Sequence, residues 1–144
     1  MKTLPAIVLI AACAINTGAS GQNSTETQPA CPAVAEISPQ HLYGSWRAEL
    51  DGQPEGATLL LEKHSELAGS VSGRVTRASV SAQLAGDVDA GEFTLEESID
   101  GEHISATWLG SVVASSCGQE IRGRWGQAAS AHNTPFVLRK LPGW

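Results

Sequence analysis

Glu96 and Glu97 are adjacent carboxylates, a residue type that does general acid and base work when two of them face one cavity. In an extended chain successive side chains point to opposite faces, so this pair is split. Phe93 and Leu95 set the parity, which turns Glu97 inward and Glu96 outward. A lone inward carboxylate is costly unless it is paired. Three placements satisfy Glu97: contact with a polar group of a ligand, an ion pair near the rim with Lys63 or an arginine, or a bulge that turns it outward. On the same parity, Trp46, Phe93, Trp108, Trp125 and Phe136 point inward beside the small residues Gly73, Ala82, Gly86, Ala106, Gly110 and Gly123. Trp46, Phe93, Trp108 and Trp125, with Glu97, are therefore the candidate contacts for an apolar ligand. Large residues facing small ones describe a filled core equally well, and the sequence leaves both readings open.

Other chemistry is weakly supported. Asp87-Val88-Asp89-Ala90-Gly91-Glu92 has the opening of a calcium loop but lacks the third oxygen ligand, and Ser98 stands where a bidentate glutamate belongs. A solvated turn is the simpler reading. His41, His64, His103 and His132 are scattered singly, with no two at metal-ligand spacing. No Ser/His/Asp or Cys/His arrangement stands out, so no catalytic residue, metal or cofactor is assigned. Arg122 and Arg124 share one strand face, as a small basic spot or an ordinary solvated face.

These side chains are carried by period-two segments separated by turn residues. Strands are expected at residues 44–50, 57–64, 69–76, 80–88, 92–99, 102–113, 120–126 and 135–140. The continuous Leu59-Leu60-Leu61 reads as a strand covered on both sides, and Asp100-Gly101 as a tight hairpin. Ile99 and Ile104 align with the inward set, and Ser38-Pro39 opens one short helical turn. Eight sequential strands with short connections predict an all-β fold, an antiparallel up-and-down barrel whose closure removes its edges. A two-sheet sandwich would need longer crossovers.

The chain has 144 residues, 42% of them hydrophobic, which fits one folded domain and excludes a wholly disordered or fibrous protein. Its formal charge of -6, from 9 Lys+Arg against 15 Asp+Glu, argues against binding a phosphate backbone. The start, Met1-Lys2 followed by the apolar run Leu4 to Ala12, is too short to span a bilayer and has the layout of an export signal. Thr17-Gly18-Ala19 offers a cleavage site that would release a soluble chain. Ile10-Ala11-Ala12-Cys13 resembles a bacterial lipobox, in which Cys13 is lipidated, and the polar stretch from Ile15 to Gln28 suits a flexible tether behind such an anchor. The expected organisation is a signal at 1–19, a tether at 20–37 and a barrel at 38–144, exported to the periplasm. Signal removal leaves Cys31 and Cys117, which read as one disulfide. In an up-and-down barrel both fall at one end, where a bridge would stabilise the fold by about 4 kcal/mol.

Gly44-Ser45-Trp46 in the first strand, with Arg139 in the last, resembles the calycin signature of lipocalins and avidins. The resemblance implies a barrel in which Trp46 packs beneath Arg139 near the closed end. Arg47, Ala48 and Glu49 stand where avidins carry the Asn and Ser that hold biotin, so no biotin site is carried over, and the lipocalin Thr-Asp-Tyr motif is absent. Size, export signal and single bridge also resemble periplasmic lysozyme inhibitors, without their Ser-Gly-rich inhibitory loop. The expected function is a non-catalytic binding module for a small apolar ligand or a protein partner. The alternative is a structural or inhibitor-like envelope lipoprotein with a filled core; an enzyme comes third. A partner is expected at the loops Asp51–Gly56 and Gln127–Thr134, opposite the bridge, with no nucleic acid and no membrane contact beyond the anchor.

Overall fold

The computed structural model describes residues 30–143. The expected signal, Cys13 and most of the expected tether lie outside the described residues. Eight antiparallel strands close into a barrel in strict sequence order: β1 (Gly44–Leu50), β2 (Gln53–Lys63), β3 (Val71–Arg77), β4 (Val80–Asp89), β5 (Glu92–Ser98), β6 (Ala106–Val112), β7 (Glu120–Gln127) and β8 (Asn133–Lys140). β1 pairs with β8 from Trp46↔Lys140 to Leu50↔Phe136, which satisfies the ladder donors that an open sheet would leave exposed. Among the described residues no helix is long and apolar enough to cross a membrane.

Alternation is as the sequence dictates over most of the barrel. β1 buries Trp46, Ala48 and Leu50 and exposes Arg47 and Glu49. Two segments depart from the expectation. Leu59 and Leu61 are buried but Leu60 is 44% exposed, so β2 is covered on one face only. In a single-layer closed barrel only alternate residues reach the interior, whatever their hydrophobicity. Asp100-Gly101 is not a two-residue hairpin. The β5–β6 ladder ends where Ser105 N–H donates to the Glu97 carbonyl at 2.7 Å, and Ile99 to Ser105 form a longer loop. Asp100 holds that loop through its carboxylate, which accepts from the N–H groups of Glu102 and His103, both at 2.8 Å, and contacts His103 Nδ1 at 2.7 Å. These bonds hold the Asp100 carboxyl well below the usual carboxylate range. Ile99 and Ile104 consequently leave the inward set and are 62% and 48% exposed.

The bridged end is built as expected. Cys31 and Cys117 form a disulfide that ties the entry segment to the β6–β7 loop. Residues 30–37, the last part of the expected tether, lie at this end: Val34–Glu36 form a 3-10 turn and Ile37 is 3% exposed. Val34 packs over the Ala90-Gly91 turn. Gly91 has φ +85° and a Cβ there would lie 2.2 Å from Val34 Cγ1, so the turn and the packing both require glycine. α1 (Pro39–Leu42) follows Ser38 with proline in its first turn, and its Leu42 carbonyl accepts from Trp46 Nε1 at 2.8 Å.

The interior is packed. Trp108 meets Phe136 edge-on with ring centroids 5.0 Å apart and Trp125 at a tilt, 6.4 Å apart. Inward glycines let neighbouring strands approach. A Cβ on Gly123 would lie 1.9 Å from the Leu109 carbonyl oxygen and 2.5 Å from Gly110 Cα, both backbone atoms. Gly123→Ala must push β6 and β7 apart, and is expected to lower unfolding free energy by about 2–3 kcal/mol. Urea titration followed by circular dichroism measures this; an unchanged midpoint would mean that the two strands have room between them.

Candidate functional site

Of the expected ligand contacts, three converge: Glu97, Trp108 and Trp125. Glu97 is fully buried near the C-terminal end of β5, and its Oε1 accepts from Trp108 Nε1 at 2.7 Å, Trp125 Nε1 at 2.9 Å and Arg77 Nη1 at 2.6 Å. Its Oε2 accepts from Arg77 Nη2 at 3.1 Å, making the arginine pair bidentate. The Arg77 guanidinium also lies 4.7 Å from the centre of the Trp125 ring, so one side chain both neutralises the carboxylate and covers an indole. Phe93 is buried on the same strand, whereas Trp46 lies toward the bridged end and hydrogen-bonds Leu42 instead.

Of the three placements open to Glu97, the ion pair is the one observed, and the arginine is Arg77. Lys63 is exposed at the far end of β2 and plays no part. Arg77 is the last residue of β3 and shares the inward parity of Gly73 and Val75. The expected strand stopped one residue short, at Thr76, which hid this signal.

A buried carboxylate with two indole donors and a guanidinium is chemically quiet, because its lone pairs are occupied. Among the described residues no buried side-chain nitrogen or oxygen lacks a hydrogen-bond partner. Five surface depressions are open to solvent, and Trp46, Phe93, Trp108 and Trp125 line none of them. The inward aromatic set is thus occupied with its own core.

The mouth above Arg77 carries the β1–β2, β3–β4, β5–β6 and β7–β8 connections. β2 begins at Gln53, so the expected loop Asp51–Gly56 shrinks to the turn Asp51-Gly52. Gln127–Thr134 shrinks to residues 128–132. The longest connection at this mouth is instead 99–105, which holds Ile99 and Ile104, with exposed Val80 at the neighbouring β3–β4 turn. A depression of about 350 Å³ there is lined by residues 52–56, Arg77 and Ala78.

The remaining candidates are dispersed. Asp87 and Asp89 lie within β4 rather than in a loop, and Asp89 faces Glu92 across the ladder. Among the described residues no group of three or more His, Cys, Asp or Glu is placed to hold a metal. Arg122 pairs with Glu120 at 2.6 Å on the outer surface. Arg139 also points outward, to Glu49 at 2.6 Å, and does not cover Trp46. The parity that buries Phe136 and Leu138 turns the next alternate residue, Lys140, over the Trp46 ring at 5.8 Å.

The fold and this site define a closed eight-stranded antiparallel barrel with the Glu97 cluster buried inside it, consistent with a calycin-like barrel. No family model matches the chain, and the search of curated proteins finds no match.

Proposed function

We propose that the chain is an exported, non-catalytic binding module, carried on a lipid anchor at Cys13, which engages a protein partner through the mouth opposite the disulfide. One observation supports this above others: the Glu97 cluster occupies the interior beneath that mouth and satisfies itself, so recognition falls to the loops outside. Those loops carry Val80, Ile99 and Ile104 in solvent, apolar side chains that a monomeric surface has reason to cover. Residues 30–37 lead into the bridged end, so an anchor at Cys13 would leave the loop end directed away from it.

The small-ligand version of this reading would require Trp46, Phe93, Trp108 and Trp125 to part and the Arg77–Glu97 pair to open. A filled structural scaffold is the second reading, favoured by the same packing. A photo-cross-linking residue at Ile104 of the exported chain is expected to trap one discrete protein adduct, while the same residue at Ala114, in the exposed β6–β7 loop at the bridged end, traps none. Equal labelling at both positions would favour the scaffold. A stoichiometric small molecule retained in native mass spectrometry would return the binding site to the interior.

A further inference from the structure

We infer that the groove between β1, β2 and residues 141–143 binds a single-chain fatty acid, with the carboxylate on Lys140 and the alkyl chain along Leu60 and Leu141. The groove encloses about 650 Å³ on the outside of the barrel at the bridged end, far from the partner-binding mouth, and its walls are mostly apolar. That volume falls within the roughly 300–1,000 Å³ typical of small-molecule sites. Leu60 and Leu141 present apolar side chains 44% and 40% exposed, and Tyr43 continues the wall.

Lys140 supplies the specificity. Its Nζ donates to the His41 carbonyl at 2.7 Å, and among the described residues no other acceptor is bonded to it and no carboxylate lies within ion-pair distance. Desolvation lowers its pKa, because the cation is held partly out of water against Trp46. An incoming carboxylate would provide the missing countercharge. Gly44 makes room for this arrangement, since a Cβ there would lie 3.3 Å from Lys140 Cε. Ser45 and Thr58 add hydroxyl groups to the lining. An apolar molecule without charge would leave the ammonium unpaired, and an inorganic anion would leave the leucines in water. A monoanion with a long alkyl tail answers both.

The test is a titration of the full exported chain with laurate below its micelle concentration, read by amide chemical shifts. Saturable shifts are expected at Gly44, Leu60 and Leu141. Lys140→Gln keeps a donor for His41 and is expected to weaken laurate about tenfold, the loss of one charge-assisted contact. Dodecanol should bind the wild-type chain no better than laurate binds this variant. Leu60→Glu, on the exposed face of β2, should also lose binding while the rest of the spectrum is preserved. Equal laurate affinity for wild type and Lys140→Gln would overturn the assignment. So would shifts confined to the loop 99–105 or to Trp108 and Trp125, or a response to phosphatidylglycerol vesicles with none to monomeric laurate.

Discussion

Replacing Glu97 with leucine is expected to lower the unfolding free energy by about 3–5 kcal/mol, the range for breaking a buried ion pair from one side. The carboxylate serves three donors at once, so its removal strands more than one group. The indole N–H groups of Trp108 and Trp125 would face apolar surroundings with no acceptor, at about 1–3 kcal/mol for each group left unpaired. The Arg77 side chain is 13% exposed and sits at the rim, so it can swing toward water and spare part of the cost. Glu97→Gln keeps an acceptor oxygen for the indoles but opposes an amide N–H to the guanidinium, and should cost about 1–2 kcal/mol. Removing both charges, as Glu97→Leu with Arg77→Leu, is expected to recover part of the loss. Urea unfolding followed by tryptophan fluorescence reads all of these. A single Glu97→Leu variant with the wild-type midpoint would show that the network contributes nothing to stability.

Removing the Cys31–Cys117 bridge is expected to cost about 4.5 kcal/mol in the chain-entropy model, because the two cysteines are separated by 86 residues and the bond spans nearly the whole barrel. On a folded domain of about 110 residues that corresponds to a fall in Tm of about 20 °C. Thermal unfolding of the Cys31→Ala/Cys117→Ala double variant against the oxidised chain measures it. The damage should begin locally: Val34, Ile37 and the Ala90-Gly91 turn are held together at this end, so amide exchange there should rise first. A drop of only a degree or two would mean that packing of Ile37 and Val34 fixes the entry segment without the bond.

How far the sequence could be read depends on the kind of information each feature needs. Side-chain parity is local, and it correctly turned Phe93, Leu95 and Glu97 inward together and Glu96 outward. The same rule, carried one residue further along β3, would have identified Arg77 as the partner of Glu97. Carried along β8, it would have chosen Lys140 over Arg139 as the cover of Trp46. Arg77 is lost to a strand boundary and Lys140 to an analogy, while the parity rule itself holds at both positions. The loop at 99–105 was a different failure. Asp100-Gly101 has hairpin composition, but the Asp100 carboxylate captures backbone donors and ends the ladder early, which no alternation pattern reveals.

Strand order was written along the chain. Eight short alternating segments can hide their edges by closing, and Cys31 and Cys117 find each other when topology brings both to one end. Whether the barrel is hollow was not written there. That depends on the summed volume of side chains from all eight strands and on the stagger between strands. Only the closed register places Glu97 within reach of Arg77, Trp108 and Trp125 at the same time. The direction of a side chain belongs to its own stretch of backbone, whereas the company it keeps is fixed only when the last strand meets the first.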